Sequence, residues 1–168
     1  VEEPRDKKTV ERILEIGKTG RWSVADVEEK ETKRAPRPPF ITSTLQQAAS
    51  SRLGFSPSNT MRLAQKLYEA GHITYMRTDN TSLAKTAQQE IARTIKDYFG
   101  DEYVELRTYK ARSKNAQEAH EAIRPTSSSI RDAGATTDER RLYRLILART
   151  LASQMSDAKM LRTKVSAN

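Results

Sequence analysis

The sequence predicts a mainly α (α+β) fold, a helix-turn-helix-like helical domain with short β segments. Two helical segments follow each other closely between Ser43 and Gly71, and a second capping-box pattern at Thr136 and Glu139 opens a long apolar helix. β-leaning patterns are confined to short stretches around Trp22, Ile73 and Met160.

Asp6 to Ile16 predicts a short helix on Val10, Ile13 and Leu14, ended by Gly17, and Trp22 and Val24 then alternate with polar neighbours as a strand does. Lys30 to Pro39, charged and proline-rich, reads as a linker or extended edge. Ser43 with Gln46 fits a capping box for a helix that turns Leu45, Ala48, Ala49 and Leu53 inward and stops at Gly54. Ser58 can cap the next helix, whose apolar residues Met61, Leu63, Ala64, Leu67 and Tyr68 end before Gly71.

Ile73 to Met76 is a short β-leaning segment. From Ser82 the helical period returns through Leu83, Ala87, Ile91, Ile95 and Tyr98, with Thr81 or Asn80 as cap and Gly100 as stop. Asp101 to Asn115 reads as a loop, and Ala116 to Ile123 as a short helix halted by Pro125. Thr136 starts a wide-faced helix through about Met155, and Met160 to Val165 returns as a strand beside Trp22.

The 168 residues suit one ordinary domain, with or without pieces of a neighbour. Thirty Lys and Arg against 22 Asp and Glu give a formal charge of +8, which suits a phosphate-bearing partner. The absence of cysteine excludes disulfides and thiolate metal sites, and no apolar run approaches the roughly 18 residues of a membrane span. A cytoplasmic location is expected. The start at Val1 and the end in mid-pattern suggest a piece of something larger.

In an extended Gly71 to Asn80 segment, Tyr75, Arg77 and Asp79 project to the same side. A phenol can form a covalent phosphoester, and a neighbouring guanidinium can grip two phosphate oxygens as charge builds. The same three residues also fit a half-buried strand tyrosine beside a surface ion pair. Further along, a helix would bring His120 and Arg124 onto one face as two phosphate donors, with Gln117 one turn earlier. A helical His-Glu-x-x-His zinc pattern is absent, and Gly17-Lys18-Thr19 lacks both the upstream glycine and the strand of a phosphate-binding loop. No Asp-x-Asp pair offers clustered ligands for Mg²⁺.

Four blocks, Pro39 to Ala48, Ala64 to Gly71, Ile73 to Asp79 and Gln117 to Pro125, resemble consecutive blocks of bacterial DNA topoisomerase I, the type IA topoisomerase family. By that resemblance Tyr75 matches the active-site tyrosine, which attacks single-stranded DNA and stays joined to its 5′-phosphate. Arg77 matches the arginine that orients the scissile phosphate, and His120 a histidine that contacts DNA near it. Asp79, Gln117 and Arg124 match supporting positions. His72 and Asn80 depart slightly from the pattern, without consequence for the match.

The resemblance further implies that residues 39–155 form the active-site tyrosine domain. Residues 1–38 and 156–168 would be antiparallel strand stubs of an arch-like β domain at its two ends. The family's Mg²⁺ site and its acid-base glutamate match nothing here, so Mg²⁺ is expected in a domain absent from this chain. The implied partners are single-stranded DNA within negatively supercoiled DNA and the remaining domains of the same enzyme, with no membrane. An isolated piece is expected to lack relaxation activity. The alternative is a non-catalytic helix-turn-helix DNA-binding module, with Arg62 and Lys66 on the helix entering a major groove.

Overall fold

The computed structural model of the chain describes residues 3–109 and 121–168. The chain divides into two compact units, Val1–Lys33 with Lys159–Asn168, and Arg34–Ala158.

The first unit holds helix α1 (Lys7–Thr19) and two paired strands, β1 (Val24–Arg34) and β2 (Ala158–Ala167). Asp6 caps α1 by accepting from the Thr9 amide at 3.0 Å. The helix runs through Gly17, where the sequence places its end, and turns off at Gly20, whose amide donates to Ile16 O at 2.8 Å. A mid-helix glycine costs only about 1 kcal/mol, whereas a Cβ at Gly20 would lie 2.6 Å from Ile16 O. Reciprocal amide bonds between Ser23 and Asn168, at 2.9 and 3.0 Å, make the pair antiparallel. β1 takes in Lys30 to Arg34 of the stretch read as a linker or extended edge, and there it pairs with β2. Its burial pattern is exposed on both faces, so no alternation of apolar residues marks it in the sequence.

The second unit is helical and surrounds one apolar core. Helices α2 (Thr42–Leu53), α3 (Pro57–Glu69) and α5 (Thr137–Ser153) bury Leu45, Leu63, Leu67, Leu142 and Ile146 against Phe40, Ile73, Met76 and Ile123. Helix α4 (Lys85–Phe99) turns Ala87, Ile91 and Ile95 inward. A 3-10 turn at Asp101–Tyr103 occupies the start of the expected loop. α2 and α3 form the expected helix-turn-helix, with Gly54 at φ +73° reversing the chain.

Several caps fall elsewhere than the sequence places them. Thr44, not Ser43, closes the start of α2, its hydroxyl accepting from the Ile41 amide at 3.0 Å. Ser56, not Ser58, caps α3, with Pro57 in the first helical position. Asn80 does not cap α4 but folds an Asx turn, its Oδ1 accepting from the Ser82 amide at 2.8 Å. Thr136 and Glu139 do form the capping box of α5: the Glu139 amide donates to Thr136 Oγ1 at 3.2 Å, and Glu139 Oε2 accepts from the Thr136 amide at 3.4 Å and from the Ala135 amide at 2.8 Å.

The helix expected over Ala116 to Ile123 falls largely outside the described residues. Its described end is extended: Ile123 bridges Phe40, and Pro125 bridges Ile73. Backbone pairing with two other segments supplies the partners a helix would have found within itself.

Candidate active site

Ile73 and Met76, each 1% exposed, sink the segment after α3 into the core. From Tyr75 onward burial alternates: Tyr75, Arg77 and Asp79 are exposed, and Met76, Thr78 and Asn80 are buried. The segment forms no regular strand and bends at Met76 and Arg77, yet exposure along it keeps a two-residue alternation. A phenol, a guanidinium and a carboxylate are therefore exposed in succession along an outward ridge of chain that bends at Met76 and Arg77.

Two threonines pin this ridge from opposite sides. Thr74 Oγ1 donates to Ala122 O at 2.7 Å and accepts from the Arg124 amide at 3.0 Å, while the Thr74 amide donates to Arg124 O at 2.9 Å. Thr126 continues the seam, its amide donating to His72 O at 3.0 Å and its hydroxyl to Gly71 O at 2.7 Å. At the first turn of α2, Thr42 Oγ1 donates to Met76 O at 2.7 Å and accepts from the Thr78 amide at 3.0 Å. The Thr42 amide in turn donates to Thr78 O at 3.0 Å. With its backbone groups satisfied by neighbouring elements, the segment holds its outward side chains in fixed positions.

Tyr68, read from the sequence as part of the apolar face of α3, is instead 41% exposed, with its ring edge-to-face against Tyr75 at 5.2 Å between centroids. Thr42 and Thr74, which the sequence does not single out, hold the backbone around Tyr75 through partners in other elements, so no local spacing announces them.

Arg124 lies in the segment paired with Thr74, but its guanidinium turns back on its own chain. Nε donates to Glu121 Oε2 at 2.7 Å and Nη1 to Pro125 O at 2.9 Å. Glu121 Oε1 also accepts from the Ala84 amide at 3.2 Å, so this ion pair ties the start of α4 to the segment. Gln117 and His120 lie outside the described residues. The cations named for a major-groove helix are already engaged: Lys66 Nζ is 3.6 Å from Glu139 Oε1, and Arg62 donates to Asn59 Oδ1 at 2.7 Å.

Glu90 on α4 accepts from Ser127 Oγ at 2.7 Å and from the Ser128 amide at 2.8 Å. Burial alone would raise its pKa, but the Ser127 and Ser128 hydrogen bonds, with the nearby charge of Arg124, hold it below the ordinary value. Tyr143, 1% exposed, donates to Ile130 O at 2.9 Å, and burial with the charges of Asp132 and Glu90 pushes its pKa up to about 12. Among the described residues no group of three or more His, Asp or Glu side chains is placed to hold a metal ion. Among those residues, too, no helix is long and apolar enough to cross a membrane.

This geometry accompanies a clear kinship. Residues 2–168 match the family model described as DNA topoisomerase. DNA topoisomerase 1 of Zymomonas mobilis is 51% identical over 162 residues, covering 95% of this chain and 13% of that protein. DNA topoisomerase 1 of Campylobacter jejuni is 48% identical over 167 residues, covering 91% of this chain and 24% of that protein. Full-length topoisomerase I from Thermotoga maritima superimposes with a TM-score of 0.78 at 38% identity, over 98% of this chain and 28% of that structure. The chain belongs to the bacterial DNA topoisomerase I family, the type IA topoisomerases. It spans between 13% and 28% of the length of these three relatives.

Proposed function

We propose that this chain is the strand-cleaving part of a type IA DNA topoisomerase, with Tyr75 as nucleophile toward a phosphodiester of single-stranded DNA. The observation that carries the reading is the outward ridge of Tyr75, Arg77 and Asp79 on a backbone pinned by Thr42 and Thr74. Kinship to proteins named DNA topoisomerase 1 supports the choice of DNA as substrate.

In the proposed step the phenolic oxygen of Tyr75 attacks phosphorus. A phosphorus–tyrosine bond forms as the bond to the 3′-oxygen breaks, the phenol loses its proton, and the released 3′-oxygen gains one. The strand stays attached through its 5′-phosphate. Reversal by the 3′-hydroxyl reseals it after another strand has passed, with no ATP consumed, and negative supercoils relax. Arg77, two residues along the same ridge, neutralises the charge that builds on the non-bridging oxygens. Asp79, Gln117 and Arg124 take supporting roles, and His120 touches the DNA near the scissile phosphate. For Arg124 that support is exerted through Glu121, which ties the segment paired with Thr74 to α4.

Among the described residues no group of three or more His, Asp or Glu side chains gathers, and no step is assigned to a metal. We assign the Mg²⁺ of the complete enzyme to its other domains, which also complete the grip on DNA. The strand unit corresponds in this reading to the arch-like β domain expected at 1–38 and 156–168, and the helical unit to the tyrosine domain expected at 39–155. The enzyme works in the cytoplasm, on the nucleoid.

Covalent capture tests the reading. In the intact enzyme that carries this chain, end-labelled single-stranded DNA should become covalently attached, and Tyr75→Phe should abolish attachment while leaving salt-sensitive binding nearly unchanged. Capture that persists in Tyr75→Phe removes Tyr75 from the mechanism.

A further inference from the structure

Beside the Tyr75 ridge, the segment before α2, one face of α2 and the C-terminal half of α5 enclose a cavity of about 540 Å³. Arg37, Arg52 and Arg149 line it, and Asp79 is the one carboxylate in that lining among the described residues. None of the three arginines is within 4.0 Å of a carboxylate oxygen among the described residues.

Arg149 is the half-buried member. Its guanidinium carbon lies 4.3 Å from the centre of the Phe40 ring, and Nη1 donates to Pro38 O at 3.4 Å. These contacts fix the group without neutralising it. Burial, and then the charges of Arg37 and Arg52, lower its pKa, as expected where like charges converge and no anion relieves them. Tyr109 forms another part of the wall, its hydroxyl donating to Ser153 O at 2.9 Å so that the ring is held in place.

Three guanidinium forks offer many donors in geometries that match phosphate oxygens, and a fixed aromatic ring offers a face for a base. Asp79 belongs to this lining and to the exposed ridge of Tyr75 and Arg77, so cavity and ridge adjoin. We propose that Arg37, Arg52 and Arg149 form a subsite for a backbone phosphate of the same single DNA strand whose cleavable phosphodiester meets Tyr75. The subsite rests on the proposed cleavage reading for its choice of DNA. It adds a second grip on the strand, so that hold on the substrate and chemistry on it are carried by different side chains.

The test is binding of a fluorescent oligothymidylate of about 12 nucleotides to the intact enzyme that carries this chain, across a range of salt. Arg37→Gln with Arg52→Gln should weaken binding about tenfold and make the slope of log K against log salt shallower by about 0.7 to 1.4, one or two released counterions. Lys85→Gln with Arg93→Gln removes the same charge from the exposed surface of α4 and should change affinity less than about twofold. Both arginines are exposed, and an unchanged circular dichroism spectrum checks the fold of the variant. Arg37→Lys with Arg52→Lys, which keeps charge but loses the fork, should fall between wild type and the glutamine pair.

No measurable binding by the wild-type enzyme, unchanged affinity in the arginine pair, or an equal loss in the Lys85 and Arg93 control overturns the subsite. So does a pair that loses competition by inorganic phosphate but binds oligothymidylate as before, since the site would then serve free phosphate. Tyr75→Phe should retain affinity in this assay. Failure of the subsite therefore leaves covalent capture intact, and failure of capture leaves the arginine effect to be read separately.

Discussion

Tyr68 on the last turn of α3 meets Tyr75 edge to face, with ring centroids 5.2 Å apart and planes inclined by 67°. Both rings are partly exposed, at 41% and 38%. Tyr68 thus serves less as a core side chain than as a wall against which the Tyr75 ring is set. Such pairs contribute about 0.5–1.5 kcal/mol beyond their buried area. Tyr68→Ala should slow covalent DNA capture by the intact enzyme roughly two- to tenfold. Tyr68→Phe, which keeps the ring, should leave the rate near wild type; equal losses in both variants would move the effect from the ring to the hydroxyl.

Thr42 joins the first turn of α2 to the backbone on the far side of Tyr75 through Met76 O and the Thr78 amide. Thr42→Val keeps the shape but strands two partly buried polar groups, at a cost of about 1–3 kcal/mol. The thermal midpoint should drop by several degrees, about 2–4 °C for each kcal/mol in a chain of this size. Thr42→Ser should restore most of it. A valine variant as stable as wild type would mean the clamp contributes nothing.

Glu90 gives the site's support a defined pH dependence. Its folded-state pKa is depressed, so the stability from its bonds to Ser127 and Ser128 is fully present above the ordinary glutamate value of 4.5 and is lost as pH falls through the lower folded value. Glu90→Gln should melt below wild type at neutral pH, and the gap should close as the solution is acidified past that range. A gap independent of pH would show that the charge of Glu90 is not what holds the segment.

Gly54 reverses the chain between α2 and α3 at φ +73°, with nothing within 4 Å of where a Cβ would stand. Gly54→Ala therefore meets a backbone penalty alone, about 1 kcal/mol, read as a fall of about 2–4 °C in the melting midpoint. Gly54→Asn, better suited to the left-handed region, should lose less. An alanine variant that melts with wild type would contradict the strained turn.

These outcomes separate what is local from what is not. The capping box of Thr136 and Glu139 and the stop at Gly54 were legible in the sequence because the residues that form them lie within one turn of each other. The alternating exposure of Tyr75, Arg77 and Asp79 matches the spacing read in the sequence, although the chain bends at Met76 and Arg77. The pairing of Thr74 with Ala122 and Arg124 was not legible, since its partners stand 48 and 50 positions away. Arg124 illustrates the cost: a helical reading set it on a face with His120, whereas the described end of that segment is extended and turns its guanidinium to Glu121. Lys30 to Arg34 left linker and extended edge both open, because a run of mostly exposed charges carries no apolar alternation.

Site mapping of the covalent adduct tests the central claim most directly. The intact enzyme, trapped on single-stranded DNA and digested with nuclease and protease, should yield one modified peptide, with the residual nucleotide on Tyr75 through a 5′-phosphate linkage. A nucleotide found on Tyr68 or any other residue, or joined through a 3′-phosphate, would contradict the account.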